Sequence, residues 1–177
     1  MSPKYHTTRG RVNGVLTATP HQIVFFDTPG FTQDGYAGVS HCTARGCDDG
    51  SCREERFNKE LQRAAVQAIH DVEVVLYVVD SARSWTRGCR DTMDAVAGLA
   101  SRAGAHSVLV LNKTDLLARD APRRAASESM IGHWEAAGGG ESLPSGVPSA
   151  VRISALKNVG MDALKSLLFS LTRPRPW

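Results

Sequence analysis

Two short polar runs hold the residue types of a base-reading site. Asn112-Lys113-Thr114-Asp115 follows the apolar run His106 to Leu111, and Ser154-Ala155-Leu156 follows a second short run, Ala150 to Ile153. A carboxylate such as Asp115 accepts side by side from the ring N–H and the exocyclic amine of guanine, two donors that adenine does not offer. A base without them leaves a desolvated carboxylate unpaired, which is a heavy penalty. The stem of Lys113 can lie over the base plane. Asn112 can tie the loop to the nucleotide and its neighbours, and Ser154-Ala155 can place a backbone N–H at the guanine carbonyl. The bland alternative is a solvated turn that starts a helix, with Asp115 near its cap. The buried-type strand ahead of it and the Ser154-Ala155-Leu156 run behind it argue for the base site.

Two further clusters suit phosphate and metal. Gln22 to Gly30 reads QIVFFDTPG, an apolar run that stops at Asp27-Thr28-Pro29-Gly30. Ligands of open α/β sheets sit at the carboxyl ends of strands. Asp27 there can hold Mg²⁺ directly or through water, and Gly30 lets the backbone approach a terminal phosphate. Alone, the same residues make an ordinary strand-turn. Thr7-Thr8 lies in the polar segment before the first strand. Each cluster has a plain explanation by itself; their order and strand context together do not. His41, Cys42, Cys47 and Cys52 could supply zinc ligands, but the spacing lacks C-x2-C pairs, and a loop insertion over Phe31 to Asn58 is the simpler reading.

The elements that must position these residues read as alternating strands and helices. Arg11 to Thr19 and Ile23 to Phe26 predict a hairpin turned at Thr19 to Gln22. Glu60 to His70 has a helical apolar face. Val72 to Asp80 (VEVVLYVVD) predicts a strand buried on both faces. A helix over Asp91 to Arg102, the strand His106 to Leu111, and a helix within Leu116 to Ala137, broken around Pro122, follow. Gly138 to Ser149 predicts a flexible surface loop. Ala150 to Ile153 is a last strand, and Met161, Leu164, Leu167, Leu168 and Leu171 mark a final amphipathic helix. The order β-β-α-β-α-β-α-β-α implies right-handed crossovers onto a mostly parallel sheet.

On these motifs the chain resembles the translational (TRAFAC-class) GTPases, and within them the Era group. The resemblance spans Ser2 to Trp177. It rests on Ser2-x-Lys4-x-His6-Thr7-Thr8-Arg9 with Gly14-Val15, Asp27-Thr28-Pro29-Gly30, Val78-Val79-Asp80 with Trp85-Thr86, Asn112-Lys113-Thr114-Asp115, and Ile153-Ser154-Ala155-Leu156. It implies a P-loop GTPase-like (Ras-like) α/β fold that binds GTP or GDP with Mg²⁺. Thr8 would ligate Mg²⁺ as the switch I threonine. Asp27 would hold Mg²⁺ through water, and the Gly30 N–H would touch the γ-phosphate, so that hydrolysis releases both switch loops. Asp27, Thr28, Pro29, Gly30, Asn112, Lys113, Asp115, Ser154, Ala155 and Leu156 form the implied nucleotide site. Residues 31–58 fall in switch II. Phe31 stands where many GTPases carry a water-orienting glutamine, which implies slow intrinsic turnover aided by K⁺ or a ribosomal partner.

Two family parts are missing from the sequence. There is no G-x4-G-K-[ST] phosphate loop. Its strand belongs between those ending at Asp27 and Asp80, so the sequence reads as a truncated G domain over 1–173, with tight GTP binding and a stable isolated fold unexpected. Residues 174–177 resemble the junction to a KH domain, which is also missing. The function implied is ribosome assembly, on the small subunit, with ribosomal RNA and ribosomal or assembly proteins as partners of a monomer held in a large ribonucleoprotein. Resemblance to organellar members implies mitochondria, with the cytoplasm as alternative. The rival functions are a degenerate, non-hydrolysing structural domain of a ribonucleoprotein, a related GTPase for tRNA modification or the large subunit, and a zinc module.

The bulk numbers fit one ordinary domain: 177 residues, 42% hydrophobic, net charge +3. The mildly basic balance permits an RNA or membrane-surface partner. Four cysteines do not suggest a disulfide scaffold. No apolar run is long enough to span a membrane, and the first residues lack the apolar core of a secretory signal.

Overall fold

The computed structural model describes residues 12–28, 66–117 and 120–172. Thr8, Pro29, Gly30, the 31–58 segment with its cysteines, and 174–177 lie outside the described residues. β1 (Val12–Ala18) and β2 (His21–Asp27) form an antiparallel hairpin, with Ala18 opposite His21 and Val12 opposite Asp27. Alternation along β2 packs Ile23 and Phe25 against the core and leaves Val24 46% exposed.

Residues 66–70 are helical. β3 (Val74–Asp80), β4 (His106–Asn112) and β5 (Ala150–Arg152) then make a parallel three-stranded sheet with β4 in the middle. α1 (Arg87–Ala103) joins β3 to β4, α2 (Ala121–Ala136) joins β4 to β5, and α3 (Met161–Ser170) follows β5. Val108 and Val110 of β4 face the α3 leucines, whereas Leu109 and Leu111 face Met93, Val96 and Trp134 of α1 and α2. All four β4 residues are fully buried, each stabilising by about 1.5–3 kcal/mol. The sheet is therefore covered on both faces, as the alternating pattern requires.

Several boundaries differ from expectation. β3 is half-buried, with Val78 44% exposed, because it is an edge strand among the described residues; β4 is the strand buried on both faces. α1 starts at Arg87 rather than Asp91, since the Thr86 hydroxyl accepts from Cys89 N and caps it. Pro122 does not break a helix. It lies in the first turn of α2, where its missing N–H costs nothing, and Asp120 caps that turn by accepting from Arg123 N at 3.0 Å. Leu116 belongs instead to a 3₁₀ turn, Thr114–Leu116.

The loop after α2 is tied down rather than flexible. Gly139 N donates to Trp134 O and Gly140 N to Ser107 Oγ, and Ser142 Oγ donates to Ala105 O. A Cβ on Gly139 would lie 2.2 Å from the Trp134 ring, so glycine is what lets the loop close over that buried indole.

β2 and β3 belong to different sheets. The hairpin is held on α3 instead: His21 Nδ1 lies 2.6 Å from Thr172 Oγ1, and its ring centroid lies 5.4 Å from that of Phe169.

Candidate functional site

Parallel register gathers the polar runs on one edge. Asp80 lies beside Asn112, and Leu111 beside Arg152, so the loops leaving β4 and β5 emerge next to each other. Thr114 stitches them, its N and its hydroxyl both donating to Ile153 O, at 3.2 and 2.9 Å.

Asn112 is only 5% exposed. Its Oδ1 accepts from Lys113 N at 2.8 Å and from Ala155 N at 3.0 Å. One side-chain oxygen thus clamps two loops 43 residues apart. The Asn112 main-chain O accepts from Ser81 N (2.9 Å) and from Ser81 Oγ (2.7 Å), which locks the end of β3 to the same point.

The buried Ser154 hydroxyl donates to Asp115 Oδ1 and accepts from Lys157 N at 3.2 Å. Holding Oδ1 fixes the carboxylate plane and leaves Oδ2 to accept from a ligand. Such pre-orientation lowers the ordering cost of binding. Lys113 sits in the left-handed region, φ 66°, an uncommon conformation for a side-chain-bearing residue. Its ammonium lies 2.7 Å from Asp80 Oδ2, and Asp80 Oδ1 accepts from Ala82 N at 3.0 Å.

Asn112, Lys113, Asp115, Ser154 and Ala155 therefore come together. Leu156 adjoins them and is 82% exposed. Asp27 and Thr28 stand at the end of β2, in the other sheet. Asp80 is part of a motif in the sequence but has no site role there, and Ser81 and Lys157 are not singled out from sequence. For Asp80 a signal existed, an Asp ending a β-branched strand; for Ser81 only the paired register shows what it holds, and Lys157 serves through its backbone N–H on Ser154 Oγ. Trp85 and Thr86 have local work here: Thr86 caps α1, and Trp85 packs edge-on to His133 with Arg90 over its face.

This edge, with an Asn-Lys-x-Asp loop clamped to a Ser-Ala loop on a parallel sheet, is that of a GTPase domain. A family model described as "50S ribosome-binding GTPase" matches residues 1–113, and the chain belongs to that family, as an Era-type GTPase. It is similar to GTPase Era of Thermotoga petrophila, at 27% identity over 91% of this chain and 42% of that protein. It is also similar to the mitochondrial GTPase Era of Danio rerio, at 32% identity over 66% of this chain and 23% of that one. In fold it matches Aquifex aeolicus Era, crystallised with GDP and AlF4⁻, with a TM-score of 0.65 and 22% identity, over 99% of this chain and 49% of that one. The chain thus spans less than half the length of these relatives.

Mg²⁺ at a phosphate site takes one or two carboxylates, with phosphate oxygens and waters completing its shell. No cluster of three or more acidic, His or Cys side chains occurs among the described residues. A single exposed carboxylate at a strand end, as Asp27 provides, fits that smaller demand.

Proposed function

We propose that this chain is the G domain of an Era-like ribosome assembly factor, one whose GTP and GDP states time its docking on and release from pre-ribosomal RNA. The carrying observation is the clamp of Asn112 Oδ1 on Lys113 N and Ala155 N, with Ser154 holding Asp115. A structural scaffold freed of nucleotide has no physical use for a carboxylate fixed in this way.

In this reading Asp115 accepts from the guanine N–H groups, Ala155 N meets the guanine carbonyl, and Lys113 covers the base. Asp27 holds Mg²⁺ with Thr8, while Thr28, Pro29 and Gly30 form the loop against the γ-phosphate. When bound, the metal neutralises phosphate charge. K⁺ or a ribosomal partner aids a slow hydrolysis. The partners are ribosomal RNA and ribosomal or assembly proteins of the small subunit, and the location is the mitochondrion. The description of the matching family favours one second reading, action on the large subunit.

The test is binding of fluorescent GDP and ADP analogues to the whole protein, then sedimentation with purified small and large subunits in either nucleotide state. Guanine-selective binding and GTP-dependent association with the small subunit are expected. Binding of neither nucleotide would leave the scaffold reading; association with the large subunit alone would move the site of action there.

A further inference from the structure

The ion pair from Lys113 to Asp80 is the contact on this edge to which the guanine reading gives no role. Asp80 does not belong to either base-reading loop. It reaches the site through register, as the last residue of β3 beside Asn112. Its two oxygens have separate tasks: Oδ1 accepts from Ala82 N at 3.0 Å and so fixes the carboxylate, and Oδ2 takes the Lys113 ammonium at 2.7 Å. The pair is partly shielded, the side chains being 27% and 42% exposed. Lys113 is in turn held at both ends. Its N donates to Asn112 Oδ1, its φ is 66°, and its ammonium is pinned, so the four-carbon stem between has little freedom left.

We propose that Asp80 is a positioning residue for guanine recognition: it anchors the Lys113 ammonium so that the Lys113 stem forms a preset wall for the base plane. The inference rests on the guanine-site reading and deepens it. A lysine stem that must be ordered on binding gives up rotamer entropy; one already pinned does not. Asp80 acts only through Lys113 and touches no ligand itself.

The experiment is titration of the whole protein with a fluorescent GDP analogue, and displacement by guanosine, for wild type, Asp80→Asn, Asp80→Glu, Lys113→Met and the double variant Asp80→Asn/Lys113→Met. Asparagine keeps an acceptor for Ala82 N and removes the charge, so the strand end is preserved. Asp80→Asn is expected to weaken both ligands about three- to tenfold, the size of a partly shielded ion pair together with the stem ordering it spares. Asp80→Glu should recover part of that loss. In the Lys113→Met background, which keeps an apolar stem without an ammonium, the same Asp80→Asn change should alter affinity less than about twofold, because additivity fails only for groups acting on each other. An equal loss in both backgrounds would show that Asp80 merely supports the strand end and would overturn the proposal. So would wild-type affinity in Asp80→Asn, with guanine recognition still standing. Absence of guanine binding by wild type would instead overturn the underlying reading, and this inference with it.

Discussion

Replacing Asn112 by alanine separates the clamp from any ligand. Asn112 Oδ1 accepts two backbone N–H groups, from Lys113 and Ala155, in a side chain 5% exposed. Each neutral hydrogen bond contributes about 1 kcal/mol net, and a donor left buried without a partner costs about 1–3 kcal/mol. Both bonds are partly buried, so each freed N–H loses its partner in a half-shielded place. The sum is a loss of about 2–4 kcal/mol. At about 2–4 °C per kcal/mol for a chain of this size, the melting midpoint should fall by roughly 4–16 °C. The assay is urea unfolding followed by circular dichroism, paired with amide exchange at Ala155, which should speed up by far more than at Leu109 in the centre of β4. Asn112→Asp is the control. It keeps an acceptor for both N–H groups but puts a carboxylate at a 5% exposed position beside Asp80, so it should recover only part of the loss. A change in unfolding free energy below about 0.5 kcal/mol in the alanine variant would refute the clamp as the element joining the two loops.

Other perturbations follow from the same geometry. Asp115→Asn should cost guanine nucleotides about ten- to a hundredfold in affinity while admitting xanthine nucleotides, whose second carbonyl can accept from the new amide; competition binding with the two bases checks it. Gly139→Ala drives a methyl to within 2.5 Å of three Trp134 ring atoms and should destabilise by about 1–3 kcal/mol, with a blue or red shift of tryptophan emission as the indole is displaced. Tyr77 has its phenol pushed up to about 12, first by burial and then by the nearby Cys89 thiol. Its neutral form is favoured by the fold, so its contribution is fully present below pH 10 and is lost as pH rises from about 10 toward 12, where only the unfolded chain is ionised. Alkaline unfolding of Tyr77→Phe should lack that decline, and the high-pH absorbance step of the late-titrating phenol should vanish with it.

What was readable from sequence was governed by periodicity and by order. The unbroken apolar run before Asn112 marked β4 as a buried strand, and the leucines from Leu164 to Leu171 marked the last helix. The residues of the proposed base site could be named because they end or follow a strand. The helix starts were misjudged where one capping hydroxyl outweighed the apolar pattern, as at Thr86, or where proline read as a breaker sits in a first turn, as at Pro122. β3 looked doubly buried from its β-branched run, since composition reports what a strand tolerates and not which neighbour stands beside it. The roles of Asp80 and Ser81 escaped because their partners lie at the end of the neighbouring strand, and only register reveals such pairs; Lys157 escaped because its contact is a backbone N–H on the nearby Ser154 hydroxyl. The loop over Trp134 escaped for a similar reason: glycine-rich sequence looks the same whether it is loose or packed on a ring.

The clamp also has a consequence for how the chain is made. During synthesis β4 and its Asn-Lys-Thr-Asp loop emerge first, and Ala155 follows only 43 residues later. At about 5–20 residues per second that interval is roughly 2–9 s, during which Asn112 lacks its second donor and Asp115 lacks the Ser154 hydroxyl. A nascent chain in that interval can already have buried β4, yet it has no fixed carboxylate to offer a base. If the site reads guanine as proposed, that recognition is among the last properties the domain acquires on the ribosome, since it needs β5 translated and docked.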